Sequence, residues 1–204
     1  ICGELLEKAI TYAMATLETN ASMGLIVASP TAGSAGIVPG LLLALQEVYN
    51  FSDKYIQKAL FNAGAIGYLA MRNATVAGAV GGCQAETGVA AAMAASAAVE
   101  LLGGTPEQCT YAASTVLLNM LGLVCDPVGG LVEIPCVKRN VVGAVNAVSA
   151  ANMALAGITS HIPADEVIDA MGEIGDALPA SLRETGLGGL AATPTAKRIT
   201  KNIR

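Results

Sequence analysis

Tryptophan is absent from this chain of 204 residues, phenylalanine occurs twice, histidine once, and charged residues make up only 13%. Without tryptophan there is little from which to build an aromatic belt at a membrane surface. A net charge of −5 and a pI near 4.8 exclude the basic footprint of a nucleic-acid binder. No apolar run reaches the roughly 20 residues that a membrane span needs. Residues 88–102 and 112–124 come nearest, and Glu100 and Asn119 interrupt them. The mean hydropathy of +0.57 is therefore read as buried helix, with no membrane partner expected. The sequence opens on Ile1 without an initiator methionine or a signal-peptide pattern, which predicts a fragment or a processed piece. Alternating strand patterns of useful length are missing as well, so the predicted class is all-α.

What remains is 53% hydrophobic and mostly Ala, Leu, Val, Ile and Gly, a mixture that lets helices approach closely. We expect one domain over residues 1–204: a compact bundle of small-residue-rich helices. The first helix is predicted over 3–18, and apolar helix resumes over 41–49. Ser52 is placed to cap a helix from Asp53 that continues through 59–70. An Ala-rich helix over 88–102 ends at Gly103-Gly104. In "TPEQ", Thr105 reads as an N-cap, Pro106 as the first helical residue and Gln108 as the capping-box partner of a helix running to about Val124. Further helices are predicted over 140–156 and 162–178, with "SLRE" (181–184) capping a short turn. The Gly-rich, then basic tail after Thr185 reads as a surface segment.

Three irregular segments, 29–40, 81–87 and 125–140, interrupt this apolar helical sequence, and buried loops need their backbone groups satisfied by something. Each of the last two carries cysteine. Cys83 precedes the Ala-rich helix, where a helix N-terminus would stabilise its thiolate. Cys125 and Cys136 bound "CDPVGGLVEIPC", in which prolines hold the backbone out of helix and Gly129-Gly130 lets it double back. The two thiols are thus able to converge. The spacing matches no compact zinc pattern such as CxxC, and buried thiols that merely pack are the alternative. Cys2 and Cys109, in helical context, are assigned to packing. Five cysteines at irregular spacing point to a reducing cytosol.

"SPTAGSAGIVPG", "AGAIGYLAMRNATVAGAVGGCQAETGVAAAMAASAAVELLGGTPEQ", "LGLVCDPVGGLVEIPCVKRN" and "RETGLGGLAATPTAKR" together resemble the iron–sulfur-dependent L-serine dehydratases (L-serine ammonia-lyases), in their alpha chain or catalytic region. The resemblance covers essentially the whole sequence. It implies a 4Fe–4S cluster on Cys83, Cys125 and Cys136, with the fourth iron open to substrate. Such a cluster acts as a Lewis acid on the hydroxyl of L-serine, without redox change, and the products are pyruvate and ammonia. The motifs equally admit a related lyase acting on cysteine or another β-substituted amino acid, and a helical membrane or assembly module with packed cysteines is the rival of another class.

For substrate, Thr31 and Ser34 offer hydroxyls, the amides around Gly33 an anion nest, and Lys138 and Arg139 positive charge. Glu86 and Asp126, beside ligand cysteines, are weak acid/base candidates or acceptors behind the ligands. His161 is expected to be a surface or capping residue. The family's Ser-His-Thr motif is missing here, so the general base is expected on a beta chain or N-terminal domain. The implied assembly is a homo- or hetero-oligomer.

Overall fold

The computed structural model describes residues 1–203 and is all-α, with no strand or sheet among the described residues. Its centre is the Ala-rich helix α5 (Val89–Leu101), numbered after α1 (Glu4–Ala21), α2 (Ile37–Tyr49), α3 (Asp53–Asn73) and the single turn α4 (Gly78–Gly81). Every α5 residue except Glu100 is buried. A helix apolar all round is stable only when neighbours cover it on all sides, and α2, α3, α6 (Pro106–Leu118) and α7 (Cys136–Leu155) do so. α8 (Ala164–Ala177) packs on α6 and α4, and α9 (Pro194–Ile203) closes the chain.

Small residues set the helix spacing, as the composition suggests. Gly40 of α2 lies against the backbone of Ala13 in α1, and a Cβ there would stand 2.9 Å from the Ala13 nitrogen. Backbone cannot rotate aside as a side chain does. Gly40→Ala is therefore expected to lower stability by about 1–3 kcal/mol, read from the urea midpoint.

The capping box forms as expected: Thr105 Oγ1 accepts the Gln108 N–H at 3.3 Å, and Gln108 Oε1 accepts the Thr105 N–H at 2.9 Å. Ser52 occupies its N-cap position in extended conformation, but its hydroxyl makes no capping bond.

Several boundaries or environments differ from expectation; α2, for one, begins at Ile37 rather than near 41. α6 stops at Leu118, not near Val124, because the following residues must turn back to pair with the Cys83 segment; Gln84 N–H donates to the Leu123 carbonyl at 2.9 Å. α7 begins at Cys136, four residues earlier than expected, with Pro135 at its N-cap. The tail holds a helix, α9: Thr193 Oγ1 accepts the Ala196 N–H at 3.3 Å and Pro194 is the first helical residue, the same start signal as Thr105-Pro106. Cys2 is exposed ahead of α1, whereas Cys109 is buried as expected.

Contrary to the expectation that 88–102 and 112–124 come nearest, one stretch among the described residues, Ala32–Tyr49, is long and apolar enough to cross a membrane, and 56% of it is buried inside the protein. An apolar cleft of about 830 Å³ opens between α1, α2, α3 and segment 25–29.

Candidate functional site

The three irregular segments meet at one place. After the turn α4, the chain widens into a π-helical turn over Gln84–Gly88 before α5 begins. Such widened turns are often functional, and this one turns Glu86 toward two partners. Glu86 Oε1 accepts the Thr31 hydroxyl at 2.6 Å, from segment 29–40. Glu86 Oε2 lies 3.9 Å from Cys125 Sγ, from segment 125–140. One ligand atom each of Cys83, Glu86 and Cys125 lies within 4.8 Å of the other two.

Around Cys125 the backbone is held by the tail. Cys125 N–H donates to the Leu182 carbonyl at 2.9 Å, and its own carbonyl accepts from Glu184 N–H at 2.7 Å. The chain then reverses through Val128–Gly130, where Gly129 (φ 68°) and Gly130 (φ 74°) both take left-handed conformations that favour glycine. It returns to Cys136, the first residue of α7.

Helical phase on α7 then sorts the next residues. Arg139 and Asn140, three and four positions on from Cys136, share its face. Arg139 Nη1 lies 3.6 Å from Cys83 Sγ and donates to the Val124 carbonyl at 2.9 Å, while Nη2 pairs with Asp126 Oδ1 at 2.9 Å. Asp126 Oδ2 accepts the Leu190 N–H at 2.6 Å, tying down the tail strap. Asn140, fully buried, donates to the Gly33 and Cys136 carbonyls at 2.8 and 2.9 Å and accepts the Gly36 N–H at 3.1 Å. It is the pin between segment 29–40 and the start of α7. Lys138, off that face, is exposed and lines a different cleft with Met14, Glu18 and Glu133.

The other sequence candidates are distributed as follows. Ser34 is buried, with its hydroxyl 3.2 Å from Thr31 Oγ1 and 3.3 Å from the Ser29 carbonyl, so it shapes the loop from within. Gly33 lies against Glu86. Asp126 is engaged on both oxygens. His161 is exposed in the turn before α8.

Sequence reasoning missed Asn140, the strap 182–190 and Gln84. Gln84 is fully buried and donates to the Gly81 and Met171 carbonyls, both at 2.9 Å, while accepting the Gly122 N–H at 2.9 Å. A signal for Asn140 existed in its i+4 spacing from Cys136. Gln84's distant partners lie 38 and 87 residues away, and the strap, though within the resembling segment 183–198, carries no local sign of its contact with Asp126.

The electrostatics divide the cysteines. Cys83 is held below the usual thiol range, chiefly by a hydrogen bond from the Cys125 thiol and also by the Arg139 charge. Cys125 is pushed up as that donor, and burial adds to the effect. Burial, with the Cys83 charge next, pushes Cys136 up to about 12. Glu86 is raised above the carboxylate range by burial, against the Thr31 hydrogen bond.

The donor set fits an iron–sulfur cluster. Three cysteines, each at most 7% exposed and none in a disulfide, come from the segments that converge here, and soft thiolates suit iron–sulfur chemistry. Cys136 Sγ falls outside the 4.8 Å set.

Residues 1–191 match the family described as serine dehydratase alpha chain. Over 203 residues the chain is 59% identical to the probable L-serine dehydratase, alpha chain, of Bacillus subtilis (strain 168), spanning 100% of this chain and 68% of that one. It is 57% identical over 200 residues to the probable L-serine dehydratase, alpha chain, of Latilactobacillus sakei, spanning 98% and 96%. With the L-serine dehydratase 1 of Escherichia coli (strain K12) it shares 44% identity over 182 residues, 88% of this chain and 40% of that protein.

Proposed function

Since the chain belongs to the serine dehydratase alpha-chain family, we propose that it is the cluster-binding component of a lyase that converts L-serine to pyruvate and ammonia. The observation that carries this reading is the meeting of segments 29–40, 81–87 and 125–140 at buried cysteines. Cys83, Cys125 and Cys136 would hold a 4Fe–4S cluster. When bound, such a cluster supplies a Lewis acid that draws charge from the C–O bond of the substrate hydroxyl.

The chain's own residues prepare the site. Arg139 places positive charge beside Cys83 and is itself fixed by Asp126. Asn140 fixes segment 29–40 against the start of α7, so that Thr31 faces the cysteines. The strap over 182–190 closes on Cys125 and Asp126.

The α-proton must be taken by a base, and the relatives' designation as alpha chains supports a beta chain as its source. Unbridged Cys83 and Cys125, with ligand atoms within 4.8 Å, suit a reducing cytosol. The test uses this chain with its beta chain, loaded anaerobically with iron and sulfide. Pyruvate release from L-serine, but not from L-cysteine or L-threonine, is the expected result. A loaded complex that leaves L-serine intact and turns over L-cysteine would transfer the function to the related lyase.

A further inference from the structure

Resting on that reading, we propose that the Glu86 carboxylate is the seat of the substrate's α-ammonium group. Arg139 and Asp126 cancel one another at 2.9 Å, and the second Asp126 oxygen is taken by Leu190 N–H. Glu86 has no such partner. Its contacts are a neutral hydroxyl at Oε1 and the Cys125 sulfur at Oε2, and among the described residues it forms no ion pair. Buried or half-buried carboxylates are normally matched by a cation, because desolvation without one is costly. Here the cation at the site, Arg139, is paired with Asp126 rather than with Glu86, and L-serine brings another.

Glu86 is only half-buried, so a small group can reach it from outside. A Cβ on Gly78 would collide with Glu86 Oε2, and one on Gly33 would stand 3.4 Å from Oε1. These glycines let backbone pack close against the carboxylate, which a Cβ at Gly78 would displace. Thr31 fixes the orientation of Oε1, and Oε2 faces toward Cys125, where the reacting end of the substrate would lie. An ammonium is compact and offers three N–H donors, which suits a carboxylate held in this way. An analogue with a hydroxyl in place of the ammonium, such as glycerate, gains no charge pairing at Glu86. Sites built to pair a substrate group reject analogues lacking it far more strongly than apolar pockets discriminate shape. Glu86 is therefore assigned a specificity role, and proton abstraction is left to the partner chain.

The test compares the loaded complex of both chains carrying wild-type sequence or Glu86→Gln. Expected are unchanged iron and sulfide content, a KM for L-serine raised about 10- to 100-fold, the scale of one charge-assisted hydrogen bond, and kcat within a few-fold. Inhibition by glycerate should be unchanged or stronger. An unchanged KM, a kcat loss of orders of magnitude at constant KM, or parallel weakening of serine and glycerate would each overturn the assignment. Should Glu86→Gln fail to load, Thr31→Val keeps the carboxylate and removes only its orienting hydroxyl. It should raise KM for serine several-fold without altering glycerate inhibition, and no change in that selectivity overturns the assignment too. A wild-type complex inactive on L-serine defeats the functional reading itself, whereas an active wild type with an indifferent Glu86→Gln defeats only the role of Glu86.

Discussion

Cys136→Ala is expected to abolish the visible absorption of sulfide-bridged iron and to reduce serine deamination to background. Of the three cysteines this one is the most informative. Cys83 and Cys125, with Glu86, already form a set within 4.8 Å that would suit a single ion, so removing Cys136 separates a cluster from a mononuclear metal. Loss of one thiolate would leave a cluster with only two protein thiolates to hold it. Cys83→Ala and Cys125→Ala should behave in the same way. Cys109→Ala is the control. Its sulfur is buried in the core and accepts from Asn62 Nδ2 at 3.7 Å, so its loss should affect packing and leave iron uptake intact. Iron and sulfide retained at wild-type levels in Cys136→Ala would remove that residue from the ligand set.

The second large effect is on stability. Asp126→Ala is expected to cost about 3–5 kcal/mol, because it strands a largely buried guanidinium and leaves the Leu190 N–H without its acceptor. Asp126 is 3% exposed and Arg139 16%, so water can compensate little of that loss. Urea unfolding of the metal-free chain measures the effect without interference from cluster loading, and a shift in midpoint at constant slope is the expected form. Asp126→Asn should cost less, since it keeps an acceptor for Leu190 while giving up the charge. A loss below about 1 kcal/mol for the alanine variant would mean that Arg139 finds another partner and that the pair does not hold the strap.

The contrast between Arg139 and Lys138 shows how far the sequence could be read. Adjacent in the chain and equal in charge, the two were assigned together to substrate binding. Once α7 starts at Cys136, phase alone puts Arg139 on the face of the cysteines and sends Lys138 outward. The helix start was the missing fact, hidden because prolines and glycines made 125–140 look irregular throughout. The cysteine segments themselves, the all-α class and the capping box at Thr105 rest on local residue types and were legible. The strap over 182–190, the Gln84 tether and the Thr31–Glu86 contact, 55 residues apart in sequence, depend on tertiary packing that no local pattern encodes. The helix α9 is a different case: its Thr193-Pro194 start repeats the signal recognised at Thr105-Pro106, and the glycines before it obscured it.

Anaerobic reconstitution of the wild-type chain with ferrous iron and sulfide, followed by assay of bound iron and acid-labile sulfide, tests the central claim most directly. The expected outcome is a brown protein carrying about four of each per chain, with that absorption lost when any one of Cys83, Cys125 and Cys136 is replaced. Iron bound without sulfide, or no iron bound at all, would contradict it.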